Sequence, residues 1–385
     1  SYNTALGQGA LAANTTASSN TAVGDNTLNV NTTGANNTAV GQNSLAANQT
    51  GGYNTAVGKS TLAANTTSYN TAFGNLALTA NTTGSSNVAV GNEALETNTT
   101  AAQCVAVGNQ ALEANTTGNY NVAVGSQALQ SNTDGTLNTA VGLQALEANV
   151  SGQKNAAFGT EALQANLASN NSAFGRRALK ANTTGTELVA VGQGALESNT
   201  TASNNTAVGS NALNLNTTGN ANVAVGQNAL TVNTTGDNNV AIGAQALDAN
   251  TTESNNIAIG SFALGAATGS QRCTAIGTNS LASLTTGDRN ISIGVNAMLS
   301  ATTTHDNVCI GDNAGYSLSD GNAYYNVAIG NYALDGGTTA HANTAIGYQA
   351  ATGVTTGDGN TAIGSMAMAL LTTGHSNVII GQTAG

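Results

Sequence analysis

Three histidines are the residues of this sequence best suited to bind a metal ion or to carry protons. They are His305, His341 and His375, and each stands at the same place in a repeated unit of 17 residues. Because they occur in every second copy of that unit, we expect neighbouring imidazoles about 10 Å apart along a stack of coils, whereas zinc needs ligands at about 2 Å. The spacing predicts solvated turn histidines and no metal site.

The three cysteines, Cys104, Cys273 and Cys309, do not form a disulfide framework. An odd number prevents complete pairing within one chain. Cys104 and Cys273 share a repeat position but lie ten copies apart, and Cys273 and Cys309 lie two copies apart at different positions. Both pairs are too distant for an S–S bond. We expect the thiols to be small buried core residues.

Two fragments imitate nucleotide-binding loops. Gly52–Ser60 reads GYNTAVGKS, which differs from a phosphate loop by one residue of spacing, and Gly7–Ala12 reads GQGALA, similar to a dinucleotide-binding turn. No βαβ pattern surrounds either fragment, and both coincide with the repeat. The 18 acidic residues are scattered over variable positions, so neither a glycosidase carboxylate pair nor a recurring calcium-binding Asp is indicated. We predict no catalytic residue, no cofactor, no metal site and no enzyme.

One recurring motif, N-x-[ST], could accept a modification. In a eukaryotic secretory pathway these asparagines could carry glycans. The alternative, which we favour, is that Asn and Thr stack in a turn of the repeat. The acceptors are Asn14, Asn31, Asn65, Asn81, Asn98, Asn115, Asn182, Asn199, Asn216, Asn233 and Asn250.

The composition excludes several classes of protein. Charged residues are 6%, aromatic residues 3% and Pro is absent, unlike an ordinary globular domain or a charged, Pro-rich disordered chain. The net charge is −11 and Arg176–Arg177 is the only basic pair, so a nucleic-acid surface is not indicated. No apolar run approaches the ~20 residues of a membrane span. Because the chain starts at Ser1 without an initiator Met, we expect a processed product or a fragment.

The repeat that positions all these residues reads N-T-A-V-G-x-x-A-L-x-A-N-T-T-G-x-x. We number its positions 1 to 17 from the first Asn. The unit occurs 23 times between Asn3 and the copy that starts at Asn377. The copies from Asn54 and Asn155 are one residue short, and the copy from Asn307 is two residues longer. We therefore predict one continuous array over residues 1–385 without a linker.

The pattern of each unit predicts two short strands joined by two turns. Positions 2 to 4 form the first strand, which is small or apolar on both faces. Positions 8 to 11 form the second, with positions 9 and 11 inward and position 10 outward. Gly at position 5 of every copy indicates a positive φ or a close backbone approach, and N-T-T-G at positions 12 to 15 is turn chemistry.

A unit of this size must stack on its neighbours to bury a core. The sequence therefore predicts an all-β fold, a parallel β-solenoid of 23 coils, with Asn ladders at positions 1 and 12. At ~4.8 Å per coil the rod would be on the order of 110 Å long. With only positions 4 and 9 large and buried, a single roll is marginal. We expect the second face of the first strand to pack on partner chains as a homotrimer, with Ala at positions 3 and 8 allowing close approach.

The string NTAVG, with AL two residues later, resembles the head repeats of YadA-like trimeric autotransporter adhesins. The longer form that starts at Asn31, NTTGANNTAVGQNSLAANQTGGYNTAVG, resembles the shaft repeats of phage and other viral tail fibres. The resemblance covers all 23 copies and implies a left-handed parallel β-roll trimer in an elongated, extracellular, receptor-facing protein. The adhesin repeats are shorter than 17 residues, and the chain shows no coiled-coil stalk, so the biological owner stays open.

We therefore expect the structural shaft of an extracellular fibre, in a virion tail fibre or a surface adhesin. Its partners would be copies of itself, with a host receptor or glycan bound through parts outside this chain, and neither nucleic acid nor a membrane interior. Two alternatives remain: an ice- or surface-binding solenoid, suggested by Thr at positions 2, 13 and 14, and a cell-surface filament subunit. The adjacent Thr residues at positions 13 and 14 should face opposite ways, which argues against a flat two-column Thr face.

Overall fold

The computed structural model describes residues 2–385 and shows an all-β parallel β-solenoid of about 22 turns. Residues up to Leu188 form one compact unit and Val189–Gly385 form a second. Each coil contributes one strand of three residues, at positions 2 to 4 of the repeat. The prediction of an all-β parallel solenoid is confirmed. Among residues 2–385, no helix has the length and apolar character that a bilayer-spanning segment requires.

The first unit contains eleven strands. They are β1 (Thr4–Leu6), β2 (Thr21–Val23), β3 (Thr38–Val40), β4 (Thr55–Val57), β5 (Thr71–Phe73), β6 (Val88–Val90), β7 (Val105–Val107), β8 (Val122–Val124), β9 (Thr139–Val141), β10 (Ala156–Phe158) and β11 (Ser172–Phe174).

The second unit contains twelve strands. They are β12 (Val189–Val191), β13 (Thr206–Val208), β14 (Val223–Val225), β15 (Val240–Ile242), β16 (Ile257–Ile259), β17 (Thr274–Ile276), β18 (Ile291–Ile293), β19 (Val308–Ile310), β20 (Val327–Ile329), β21 (Thr344–Ile346), β22 (Thr361–Ile363) and β23 (Val378–Ile380).

Within each unit, consecutive strands pair in parallel with equivalent repeat positions side by side. In the pair β2–β3, Ala22 lies beside Ala39 and Val23 beside Val40. The same register links the strands of the second unit, as Ile259 of β16 and Ile276 of β17 show. Each repeat position therefore forms a column of side chains along the coils, and we name the columns by position.

Leu side chains and small side chains, mostly Ala, fill the interior of each coil. Ala22 at position 3 and Leu28 at position 9 are fully buried, and so is the position-8 residue of most coils. Positions 2 and 4 lie on the opposite side of the strand, because successive side chains of a strand alternate between its faces. The expectation that position 4 is a buried core position and that Ala at positions 3 and 8 meets a partner chain is wrong: the two Ala columns line the interior.

The predicted second strand is also wrong, because positions 8 to 11 form turns. The backbone at position 7 and at position 9 is left-handed, with φ of 57° at Asn43 and 52° at Leu45. A left-handed Leu costs roughly 1–2 kcal/mol. Here that conformation curls the chain so that the side chain of Leu45 is fully buried while Ala47, at position 11, is exposed. These turns still bond to neighbouring coils, for example from the Leu45 amide to the Thr61 carbonyl.

The Gly column at position 5 meets both conditions that the sequence indicated. Gly125 has a φ of +135°, and a Cβ on it would lie 2.4 Å from the carbonyl oxygen of Gly142 one coil later. Neither the backbone conformation nor the space permits a side chain.

Asn side chains bond one coil to the next at position 1, as predicted. The Oδ1 of each column-1 Asn accepts the backbone amide of the next coil, as from Asn138 to Asn121 at 3.0 Å. Its Nδ2 donates to the position-15 carbonyl of its own coil, as from Asn138 to Gly152 at 2.8 Å. These bonds satisfy the buried amide at position 1 and the buried carbonyl at position 15, which have no backbone hydrogen-bond partner.

The second Asn ladder, at position 12, is confirmed but interrupted. Nδ2 of Asn98 donates to Oδ1 of Asn81 at 2.8 Å, and similar bonds link most neighbouring coils of the first unit and the coils of the second unit from Asn199 to Asn250. In a copy that is one residue short, Asn65 donates only to the Thr67 carbonyl. The preceding Oδ1 of Asn48 then accepts no bond. The deletion lies in the N-T-T-G turn and moves the amide out of reach.

From residue 267 onward, apolar side chains replace the position-12 Asn. The column reads Ala267, Leu284, Ala301, Leu318, Gly337, Val354 and Leu371. Small and large residues alternate through its first six members, and a Cβ on Gly337 would lie 3.3 Å from Cδ2 of Leu318. Since neighbouring members are one coil apart, each large side chain occupies the space that a small neighbour leaves.

Candidate functional site

The three histidines lie in one surface column of the second unit, separated by Tyr324 and Asp358. The His305 ring stacks on Tyr324 at 5.2 Å, and Tyr324 stacks on His341 at 5.1 Å. His341 Nδ1 lies 2.6 Å from Asp358 Oδ1, and His375 Nδ1 lies 3.5 Å from Asp358 Oδ2. The sequence predicted that the three histidines share one repeat position, but it did not predict their contacts with Tyr324 and Asp358. Tyr324 joins the column only because the two-residue insertion shifts it into line with His305 and His341.

An ion pair lies beside this column. The Arg289 guanidinium donates two hydrogen bonds to the Asp306 carboxylate, at 2.6 and 2.8 Å, and His305 Nδ1 lies 2.9 Å from the same carboxylate. The hydrogen bonds from Arg289 lower the pKa of Asp306 to about 2. These hydrogen bonds fix the positions of the Arg289 and Asp306 charges on the surface of the turns.

The cysteines are free and buried, as the sequence predicted. Cys104 and Cys273 replace Asn at position 1, and the sulfur of each lies 3.3 Å from the position-15 carbonyl oxygen that an Asn amide would bond. Burial raises the pKa of all three thiols, of Cys273 to about 11 and of Cys309 to about 12. A neutral, enclosed thiol is a poor nucleophile.

Both apparent nucleotide loops are segments of stacked coils, and Gly52–Ser60 includes strand β4. In Gly52–Ser60, Asn54 is buried and a Cβ on Gly58 would lie 2.4 Å from the carbonyl of Gly74. In Gly7–Ala12, a Cβ on Gly7 would meet Gly24 in the same way. The glycines face the next coil of the solenoid, so their backbone does not cradle a phosphate.

The sequence did not predict a cluster of three glutamate carboxylates. Glu93, Glu96 and Glu113 bring oxygen atoms within 4.8 Å of one another on the surface of the first unit. Burial, together with the neighbouring Glu93 and Glu113, raises the pKa of Glu96. Gln110 and Gln130 donate to Glu93 and Glu113 at 2.9 and 2.7 Å. The available signal was Glu at position 10 of two consecutive copies with a third Glu three residues earlier.

The N-x-[ST] acceptors at position 12 support the stacking interpretation over glycan attachment. Asn31, Asn98 and Asn233 are fully buried, and so are the other members of the series except the half-buried Asn14. Their amide nitrogens donate to the turn carbonyl and, in most members, also to the ladder, as Asn98 shows with its bonds to Asn81 and Ala101. A glycan on such a nitrogen would require the coil to open.

The strands of each unit present a partly exposed surface, the outer sheet face, which we define as the side chains at positions 2 and 4 of the strands of one unit. Position 4 of the second unit is Val in β12–β14 and Ile in β15–β23. These side chains stand on the sheet partly exposed, with Ile242 at 38% and Ile329 at 37%. Neither position holds a charged residue in any copy.

The three Thr columns differ in their hydrogen bonding. At position 13 the hydroxyl donates to the next coil, as from Thr116 to the Thr133 carbonyl at 3.0 Å. At position 14 side chains such as Thr33 are exposed. At position 2, Thr21 and Thr38 lie on the outer sheet face, and their hydroxyls bond to no other group among residues 2–385.

No protein-family model matches this chain, and no curated protein shows significant similarity to it.

Proposed function

We propose that the chain is the structural shaft of an extracellular fibre, of the kind found in viral or phage tail fibres or in surface adhesins. In this proposal three copies associate as a homotrimer, each wound as a left-handed roll, and hold an attachment end away from a virion or a cell. The observation that carries the proposal is the outer sheet face: a regular, uncharged, β-branched surface on coils that are otherwise closed by their own hydrogen bonds.

The bonding between coils suits a mechanical role. Along each unit a coil is linked to the next by strand pairing, by the Asn column at position 1 and by the Thr column at position 13. Because several hydrogen bonds join each pair of neighbouring coils, a load along the stack is shared among those bonds at each coil boundary. A receptor or a glycan would then be bound by parts outside this chain.

We assign the shaft no catalytic activity. Glycoside hydrolysis needs two carboxylates facing each other across a bound sugar. The carboxylates of Glu93, Glu96 and Glu113 instead lie together on one side, and Asp358 is engaged by two histidines.

The native mass of the protein tests the proposal. Light scattering should give three times the 37.7 kDa of one chain, and electron microscopy should show thin straight particles. A mass of one chain at micromolar concentration would overturn the trimeric shaft.

A second function is favoured by one observation, the unbonded position-2 hydroxyls. In β1–β5 every position 2 is Thr, with an apolar residue at position 4. Neighbouring members of one column lie ~4.8 Å apart and the two columns lie ~6.7 Å apart along the strand, which makes a regular array of hydroxyls and methyls. Such an array could order water against ice or another crystalline surface. Thermal hysteresis in dilute solution that is lost in Thr38→Leu would establish it, and a shaft should show none.

A further inference from the structure

We propose that the surface around Tyr325, in the second unit, binds a neutral sugar ring in its pyranose form. The site goes beyond the proposed shaft function, and all its residues belong to one chain. Tyr is absent from residues 121–315, whereas five of the nine Tyr residues lie between Tyr316 and Tyr348. This change in composition coincides with the two-residue insertion and with the three histidines.

A column of stacked rings fixes the orientation of Tyr325. The ring centroid of Tyr324 lies 5.2 Å from that of His305 on one face and 5.1 Å from that of His341 on the other. The Tyr325 ring lies perpendicular to Tyr324, at 89° and 5.0 Å. Since both faces of Tyr324 are covered, its edge meets a face of Tyr325. The Tyr325 ring is therefore held in place from behind before a ligand binds.

The opposite face of the Tyr325 ring is open. The residue is 60% exposed, although its ring contacts both Tyr324 and His305. At the same repeat position, 17, the next two coils carry Ala342 and Gly359, which are small and exposed. With coils ~4.8 Å apart, these residues leave space beside the ring. A flat ligand can stack on Tyr325 and extend along the coils.

Hydrogen-bonding groups border the open ring. One coil before Tyr325, the Asp306 carboxylate is held by the Arg289 guanidinium. At position 16, Nδ1 of His341 and Nδ1 of His375 both face Asp358, which leaves the Nε2 atom of each imidazole for a ligand. An ionised carboxylate has about four acceptor sites, so both aspartates can also accept hydroxyl groups. Donors and acceptors thus lie beside one apolar ring face.

These features favour a sugar over a cation or an aliphatic chain. The electron-rich face of a tyrosine ring attracts the weakly positive C–H groups on one side of a pyranose. An aromatic cage for an organic cation uses several ring faces, whereas Tyr325 offers one. Arg289 and His305 already engage Asp306, and two histidines engage Asp358. An aliphatic chain would cover these polar groups without bonding to them, which is costly.

Saturation-transfer NMR on the whole chain tests the site, with the methyl glycosides of galactose, glucose and mannose as probes. We expect saturation of the ring C–H groups of at least one probe. Tyr325→Ala should weaken its binding about tenfold through loss of the ring face, and Tyr325→Phe should retain it. The matched control Tyr120→Ala should change nothing. Tyr120 is 56% exposed at the same repeat position, but its neighbours there are Gln103 and Leu137.

A second variant tests the polar groups. His375→Ala removes a side chain that is 61% exposed, so the chain should keep its circular dichroism spectrum. The loss of one hydrogen bond to a hydroxyl group should weaken binding about threefold to tenfold.

Three results would overturn the sugar site. The first is the absence of saturation for every probe at millimolar concentration. The second is equal binding by Tyr325→Ala and the unmodified chain. The third is displacement of the probe by tetramethylammonium, which would assign the ring to a cation.

The native mass separates this proposal from the shaft. A single-chain mass for the unmodified protein would overturn the trimer and leave the sugar site in place, because one chain carries every residue of the site. Tyr325→Ala should lose sugar binding without a change in mass. If its mass also changed, Tyr325 would lie at a contact between copies, and the sugar site would be overturned while the shaft stood.

Discussion

The backbone amide of Asn37 donates a 2.9 Å hydrogen bond to Oδ1 of Asn20, its equivalent one coil earlier. Oδ1 of Asn37 in turn accepts the amide of Asn54 at 3.0 Å, and its Nδ2 donates to the Gly51 carbonyl at 2.9 Å. One side chain thus satisfies a buried turn of its own coil and the start of the next. The hydrogen bonds of column 1 therefore hold the stack where strand pairing does not reach.

Replacing this residue should destabilise the solenoid strongly. Asn37→Ala leaves the Asn54 amide buried without a partner and removes one of the two hydrogen bonds to the Gly51 carbonyl, which should lower the free energy of unfolding by roughly 1–3 kcal/mol. Asn37→Cys should lower the free energy of unfolding by less, because at the same repeat position the Cys104 thiol already takes the place of an Asn amide. Urea unfolding followed by circular dichroism measures both. The exposed Thr33→Ala is the control, and an unfolding midpoint for Asn37→Ala equal to that control would contradict the ladder.

A methyl group in the Gly column should be poorly tolerated. Gly125→Ala forces a side chain into a backbone conformation at φ +135° and against the Gly142 carbonyl. The conformational strain alone should lower stability by about 1–3 kcal/mol, and displacement of the next coil adds to it. Gly321→Ala is the matched control, since its nearest neighbour would lie 3.6 Å away. Thermal unfolding should separate the two variants, and equal melting temperatures would refute the close-approach explanation.

The buried thiols should make stability fall at high pH. The pKa of Cys309 is raised to about 12 from an ordinary value of 9.0, so folding favours the neutral thiol. Its contribution is complete below pH 9 and is lost as pH rises from 9 towards 12, at about 1.4 kcal/mol per pH unit. Cys309→Ala, which restores the usual column-3 residue, should flatten the pH profile of unfolding. Rapid labelling of the native protein by a thiol reagent at pH 8 would contradict the burial.

The alternation in column 12 predicts opposite effects of size. Leu284→Ala should lower the free energy of unfolding by about 2–5 kcal/mol through a cavity. Ala301→Leu should lower it by about 1–3 kcal/mol through overpacking between Leu284 and Leu318. Leu370→Ala is the control for loss of a Leu side chain, because Leu370 is 86% exposed. If Ala301→Leu stabilised the protein, the column would have spare volume and the packing explanation would fail.

The pair Arg289–Asp306 should titrate at low pH with a small effect on stability. The pKa of Asp306 is lowered to about 2, so the contribution of this carboxylate is present above pH 4 and lost as pH falls through 2. Because the Arg289 side chain is half exposed, solvent screening should keep the loss in Asp306→Asn below about 1 kcal/mol. Carboxyl NMR of the protein should show this titration, and an ordinary midpoint near 4 would rule out the ion pair in solution.

Much of the fold follows from the sequence because stacked identical coils must repeat their chemistry. The Gly of position 5 is invariant, the Asn of position 1 is nearly so, and the Asn of position 12 recurs in every copy as far as Asn250. These residues recur for reasons that act between neighbouring coils, and a repeat displays such contacts directly. The breaks in the position-12 ladder after Asn48 and Asn149 also follow from the sequence, since the copies from Asn54 and Asn155 are one residue short.

Other features required the tertiary structure. The alternation Thr–Ala–Val defines two faces of a strand but does not say which is inside; the left-handed turns at Asn43 and Leu45 close the coil tightly, leaving room for Ala39 and placing Val40 outside. The same turns replaced the predicted second strand, because alternating burial is common to a strand and to a chain that turns at every second residue. The pairing of His341 with Asp358 and the meeting of Glu93 with Glu113 likewise depend on side-chain direction at adjacent coils. Repetition along the chain determined the columns of this protein, and the curvature of each coil decided which columns face solvent.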